Sequence, residues 1–185
     1  VVNIEFDAID IANNKTAYIL NNGKWGIFNF EDRNWLLPTE YDAIHDVIDY
    51  GFDYWHFSER KHYSYYNRFL RADSLLSLYQ YIFLIEKNGI YGLYDMITKQ
   101  MIAPLNYDEI IFDFYYFAMK KDNLWGVLFG ITPSDTIWNT NSITPRFSRV
   151  RSDKFINYVL VSYPNNDKLY YLNREGNVHE KIPDK

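Results

Sequence analysis

The side chains able to carry chemistry are few in kind. Cysteine is absent, so there is no disulfide framework, thiolate nucleophile or zinc knuckle. The four histidines, His45, His56, His62 and His179, show no His-x-x-x-His, His-x-Glu or His-Glu-x-x-His spacing, which leaves a metal nothing local to bind. Asp42, Asp46, Asp49 and Asp53 lack the Asp-x-Asp-x-Asp-Gly order of a calcium loop, and Gly51 falls outside that frame. Gly-x-x-x-x-Gly-Lys, Gly-x-Gly-x-x-Gly and Gly-x-Ser-x-Gly are all missing, which excludes the common phosphate cradles, dinucleotide turns and serine-nucleophile elbow. Carboxylate pairs such as Glu40 with Asp42 are the raw material of glycoside hydrolysis, which needs two acids about 5–10 Å apart. In a chain with 24 acids such a pair arises by density alone. The residues therefore point to a non-catalytic protein with no cofactor and no metal.

What the chemistry-bearing residues do offer is recognition. The 185-residue chain has a net charge of −5, yet Val1 to Phe57 alone carries −7, from ten acids against Lys15, Lys24 and Arg33. A block of that sign repels nucleic acid and speeds encounter with a more basic protein. Next to it, Asp46 to Tyr81 holds eleven aromatics in 36 residues, against 19% for the whole chain. Exposed Tyr and Trp beside charge are the usual material of a protein-binding hot spot. The candidate partner-binding residues are Asp42, Asp46, Asp49, Asp53, Tyr54, Trp55, Tyr63, Tyr65 and Tyr66.

The elements that must position these residues come from an internal repeat. One copy reads Ala17-Tyr-Ile-Leu-Asn-Asn22-Gly23-Lys-Trp25-Gly26-Ile-Phe-Asn29, then Leu36-Leu37-Pro38, then Tyr41-Asp42-Ala43-Ile44. A second reads Phe83-Leu-Ile-Glu-Lys-Asn88-Gly89-Ile-Tyr91-Gly92-Leu-Tyr-Asp95, Met101-Ile102-Ala103-Pro104 and Tyr107-Asp108-Glu109-Ile110. In both, the Gly after the aromatic lies 12 residues before Pro and 15 before Tyr. A looser third copy has Asp122-Asn123, Trp125-Gly126, Pro145, Phe147 and Val150, and a degenerate fourth has Asn166-Asp167, Leu169 to Asn173 and Gly176-Asn177. Phe6-Asp7-Ala8-Ile9 matches Tyr41-Asp42-Ala43-Ile44. With Val1-Val2 in place of a starting Met, the sequence on this reading opens inside the tail of an earlier unit.

Asn-Gly between apolar runs supplies the positive φ values of a two-residue hairpin. The Gly after each aromatic sits mid-strand, where a missing Cβ lets another backbone approach. Pro cannot donate to a ladder, so Pro38, Pro104 and Pro145 mark a strand end or an edge. The homologous Trp25, Tyr41, Tyr91, Tyr107 and Trp125 read as core or inter-unit packing. The expectation is all-β, with tandem hairpin and meander repeats in a twisted array or propeller-like arc. A repeat tail spans 1–10, repeat one 15–45, repeat two 82–111, repeat three 116–151 and degenerate repeat four 156–182. An insertion at 46–81 is expected to be partly helical, with Ser58 and Asp73-Ser74 as caps. No window approaches about 18 uncharged apolar residues, so membrane insertion is not expected.

Asn-Gly, Trp-Gly, an apolar pair, Pro and Tyr-Asp-x-Ile at near-regular spacing resemble the bacterial WG-repeat family of β-rich tandem repeats. The match covers most of residues 4–44 and 83–178, with the insertion outside it. The third copy departs at the Pro spacing and the fourth at the Trp-Gly pair, which suits a terminal cap. The resemblance implies an interaction module and brings no catalytic residues. The function expected is a soluble, non-catalytic protein-binding module, in sharper form an immunity-type inhibitor that neutralises a bacterial toxin or effector. A cell-surface carbohydrate-binding domain and a structural fragment of a longer repeat protein are the alternatives. No cellular address is readable.

Overall fold

The computed structural model describes residues 6–11, 15–46, 81–113, 116–129, 143–152 and 158–182. Sixteen strands and no helix occur among them. They are β1 (Ala8–Ile11), β2 (Thr16–Asn21), β3 (Lys24–Asn29), β4 (Asn34–Tyr41), β5 (Ala43–Asp46), β6 (Ile82–Lys87), β7 (Ile90–Asp95), β8 (Gln100–Tyr107), β9 (Glu109–Asp113), β10 (Tyr116–Lys121), β11 (Leu124–Phe129), β12 (Ile143–Phe147), β13 (Arg149–Ser152), β14 (Tyr158–Ser162), β15 (Tyr170–Asn173) and β16 (Val178–His179). They form four antiparallel four-stranded sheets, each in simple chain order: β1 to β4, β5 to β8, β9 to β12 and β13 to β16. The all-β tandem array read from the repeats is the observed fold. The expected insertion helices lie outside the described residues.

The hairpin tips form as their residues dictate. Asn22 and Gly23 have φ of 51° and 70°, Asn88 and Gly89 57° and 73°, and Asp122 and Asn123 52° and 63°. Positive φ at both central residues gives the turn the twist of its flanking strands.

Trp25 pairs with Tyr41 and Ile27 with Leu37, so β4 spends two extra residues between those pairs and bulges around Pro38. The same bulge recurs around Pro104, between Tyr91–Tyr107 and Leu93–Ala103, and around Pro145, between Trp125–Phe147 and Val127–Ile143. Pro therefore sits on an outer strand at a bulge, where its missing N–H costs nothing. Gly26 lies under the first bulge: a Cβ there would come within 2.8 Å of Leu37 O, Pro38 C and Thr39 N.

The sheets divide the chain differently from the sequence repeats. β4 ends at Tyr41 and β5 begins at Ala43, so Asp42 alone separates sheet one from sheet two, and Asp108 and Ser148 do the same at the next two junctions. Each Asp-x-Ile segment thus opens a sheet instead of closing one. Phe6-Asp7-Ala8-Ile9 leads into β1, the first strand of sheet one, by the same rule.

Successive sheets pack face to face, and the period-two alternation of each strand sends neighbouring residues to opposite neighbours. From β6, Phe83 and Ile85 join Ile27, Leu37 and Tyr41 of sheet one. Ile82 and Leu84 of the same strand join Ile110, Phe112 and Phe117 of sheet three. Tyr116, Ala118 and Phe147 of sheet three meet Val159, Val161 and Leu172 of sheet four. Tyr41 and Tyr107 are buried, whereas Trp25, Tyr91 and Trp125 are only half-buried. The Trp-Gly aromatic lines the packing and is not its centre.

Candidate functional site

Asp42 shows what the Tyr-Asp motif does. Its backbone N–H donates to Glu86 O at 2.8 Å, its Oδ2 accepts the Asn88 N–H at 2.6 Å, and its Oδ1 is paired with Lys24 Nζ. The carboxylate thus fixes the hairpin tip of the sheet it opens. Asp108 Oδ2 accepts the Asp122 N–H at 2.9 Å and Asp7 Oδ2 accepts the Gly23 N–H at 3.2 Å, in the same relation. At the last junction Ser148 Oγ lies 3.0 Å from Ser162 Oγ. The Lys24 ammonium, followed by the Asn88 N–H, holds the Asp42 carboxyl below the usual carboxylate range. These contacts give Asp42 a structural part within the chain.

The other acids of the first third are also engaged, partly by cations distant in sequence. Glu31 pairs with Lys15 at 2.7 Å, Glu40 with Lys87 at 3.0 Å and Asp32 with Lys99 at 3.0 Å. Lys87 and Lys99 belong to sheet two and reach back to sheet one, so counting charge by sequence block overstates the field this region presents. Asp10 remains exposed, with a free carboxylate among the described residues. Asp46 closes β5, its backbone paired with Phe83. Asp49, Asp53, Tyr54, Trp55, Tyr63, Tyr65 and Tyr66 lie outside the described residues, and so does the aromatic cluster they were read to form. Among the described residues no three His, Cys, Asp or Glu side chains gather as a metal site, and no helix is long and apolar enough to cross a membrane.

The feature that stands out lies at the start of the array. The face of each sheet turned toward the preceding sheet is called here its leading face, and the opposite one its trailing face. Counting from Asp7, Asp42 and Asp108, Ile9 corresponds to Ile44 and Ile110, and Ile11 to Asp46 and Phe112. Ile110 and Phe112 are 3% and 5% exposed against sheet two, and Ile44 packs against sheet one. Ile9 and Ile11 are 56% and 70% exposed. The row Ile11, Ala17, Phe28, Trp35 runs across sheet one in register. Ala17 is buried within it, and so is Ile19, which pairs with Ile9 on the same face, while Trp35 is exposed on the far edge strand. Trp35 stands edge-on to Phe28 at 5.2 Å and to Phe6 at 6.4 Å. Sequence reasoning passed over these residues. The signal available was the alignment of Ile9 with Ile44 and Ile110.

The opposite end of the array differs. Tyr158, Leu160, Tyr171, Asn173, His179 and Arg151 share the trailing face of sheet four, by their pairing across β13 to β16. Tyr158 packs edge-on against Tyr171 at 6.2 Å and His179 at 6.4 Å. Arg151 stands where sheet three has Ile111, which packs onto the next sheet. His179 pairs with Tyr171 where Ile143 pairs with Val127.

No protein-family model matches the chain, and no curated protein matches it. Among solved structures, Kluyveromyces lactis Hsv2 with its complete loop 6CD is similar at 8% identity and a TM-score of 0.33, over 96% of this chain and 47% of that one. The form with loop 6CD replaced by a Gly-Ser linker is similar at 9% identity and 0.34, over 92% and 49%. The Myceliophteria thermophila Cps50 (Swd1) β-propeller domain is similar at 11% identity and 0.32, over 98% of this chain and 64% of that one. The chain thus spans about half the length of the Hsv2 chains it matches. At this level of overlap none of them assigns a ligand, partner or activity here.

Proposed function

We propose that this chain is a non-catalytic protein-binding module of the WG-repeat kind, which engages its partner through the leading face of sheet one. The observation that carries the reading is the exposure of Ile9 and Ile11, whose counterparts Ile110 and Phe112 are buried by a neighbouring sheet. Ile9 and Ile11 lie on the edge strand β1, beside the buried Ile19 and Ala17, and large apolar side chains exposed together mark an interaction site more often than chance exposure does. The inhibitor form of the reading, in which the partner is a bacterial toxin or effector whose active site is covered, draws on the small size and acidic first third of the chain. Internal pairing of Glu31, Asp32, Glu40 and Asp42 shifts the weight of recognition from charge to apolar contact.

The test is affinity capture by the tagged chain and its Ile9→Glu/Ile11→Glu variant, side by side, from the native source at low and high salt. The reading predicts a protein retained by the wild type in both salts and lost from the variant. Equal retention by both chains would remove the face from the account. If the captured partner is an enzyme, unchanged turnover in the saturated complex would remove the inhibitory part alone.

A further inference from the structure

The chain holds two Asn-Gly pairs, Asn22-Gly23 and Asn88-Gly89, and both stand at the tips of two-residue hairpins. Such a pair carries a reaction of its own. Asparagine is thermolabile, because the amide nitrogen of the next residue can attack its side-chain carbonyl carbon. A following glycine has no Cβ to shield that nitrogen. Both pairs are exposed, and a Cβ added at Gly23 or Gly89 would meet nothing within 4 Å. By sequence and by room the two tips are equivalent.

The carboxylates at the sheet junctions separate them. Asp42 Oδ2 accepts the N–H of Asn88 at 2.6 Å, and Asp108 Oδ2 accepts that of Asp122, the same position of the next tip, at 2.9 Å. At the Asn88-Gly89 tip the carboxylate is thus spent on the amide before the one that would react. Asp7 Oδ2 reaches one residue further along its tip and accepts the N–H of Gly23 at 3.2 Å. A carboxylate at hydrogen-bond distance from the proton to be removed is placed as a general base. The carboxamide to be attacked is held as well, since Asn22 Nδ2 donates to Asn21 Oδ1 at 3.1 Å.

We propose that Asn22 is a self-modification site, at which the Gly23 amide nitrogen attacks the Asn22 carboxamide with Asp7 as base. Asp7 Oδ2 takes the Gly23 amide proton as that nitrogen bonds to Asn22 Cγ. The tetrahedral carbon then expels Nδ2, which takes the proton back from Asp7 and leaves as ammonia, and a five-membered imide remains. Water opens the imide. Attack at Cγ gives aspartate, and attack at the main-chain carbonyl gives isoaspartate, with the chain running through the side-chain carbon. Water is the only co-reactant. Either product sets a new carboxylate beside Asp7, and like charges so close repel. Isoaspartate also lengthens the backbone of a turn built for two residues. The contact that opens is the one between the start of β1 and the β2–β3 tip. The inference stands apart from the protein-binding reading above, and failure of either leaves the other in place.

The experiment ages the full chain in warm, mildly alkaline buffer and follows both tips by peptide mapping, with chromatography that resolves aspartate from isoaspartate. In the folded chain Asn22 should convert severalfold faster than Asn88. In urea, where Asp7 is no longer held at Gly23, the two rates should converge. Asp7→Asn keeps a hydrogen-bond acceptor and removes the base, so it should slow Asn22 severalfold and leave Asn88 unchanged. A merely structural role for Asp7 predicts the opposite, because a loosened turn reacts faster. Asn88 converting as fast as Asn22 in the folded chain would overturn the proposal. So would an Asn22 that stays intact after both pairs of the unfolded chain have converted, or a folded Asp7→Asn variant in which Asn22 reacts no more slowly. If circular dichroism shows that variant unfolded, the folded and urea-treated wild type decide alone.

Discussion

Asn88 donates its backbone N–H to Asp42 Oδ2 at 2.6 Å, so the single residue between two sheets clamps the hairpin tip of the second. Because Asp42 also pairs with Lys24 of β3, one carboxylate ties together a strand of sheet one and the hairpin tip of sheet two.

That carboxylate makes acid stability depend on Asp42. Its folded-state pKa lies below 3.8, chiefly through Lys24 and then the Asn88 N–H. A depressed carboxyl pKa gives stability that is present above the unfolded value and lost as pH falls through the folded one. Asp42→Asn should therefore melt below the wild type at neutral pH, and the two curves should converge once pH drops beneath the carboxylate range. A constant gap in melting temperature across that range would refute the assignment.

Tyr41 sets the opposite limb. Burial, followed by the Glu40 carboxylate, pushes its phenol up from 10.0 to about 12. A raised pKa gives stability fully present below the unfolded value and lost as pH rises toward the folded one. Between pH 10 and about 12, Tyr41→Phe should lose less stability than the wild type, as read by unfolding in urea.

The two mid-strand glycines rank themselves. A Cβ at Gly26 meets only backbone atoms, at 2.8 Å, whereas at Gly92 the nearest atom is the mobile Met101 Cε, with Ala103 O and Leu105 N at 3.0 Å. Gly26→Ala should cost more than Gly92→Ala, within the ~1–3 kcal/mol range of overpacking. Equal midpoint shifts in urea would contradict the bulge geometry.

Core aromatics should separate in the same assay. Phe147, fully buried between sheets three and four, should cost about 3–5 kcal/mol on truncation to Ala. Trp25 is half-buried and should cost less, although both belong to the repeat motif. If Trp25→Ala proved the more damaging, the packing scheme would be wrong.

The fold was legible because its information is local. Asn22-Gly23 and Asn88-Gly89 declare their hairpins, and Pro38 and Pro104 declare their edges. The phase of the sheets was not, because Ala43 to Asp46 reads identically whether it closes sheet one or opens sheet two. Only its pairing with β6 decides. The pairing of the acidic block was hidden for a related reason: Lys87 and Lys99 reach Glu40 and Asp32 across 47 and 67 positions of sequence. Ile9 and Ile11 were visible as residues, but exposure belongs to the assembled array, and nothing in the letters Ala-Ile-Asp-Ile says which of these side chains a neighbour covers.

The most direct test of the central claim is amide hydrogen exchange of the chain, free and saturated with its captured partner. The account predicts new protection concentrated in β1, around Ile9 and Ile11, with sheet four unchanged. Protection confined to sheet four, or absent from sheet one, would contradict it.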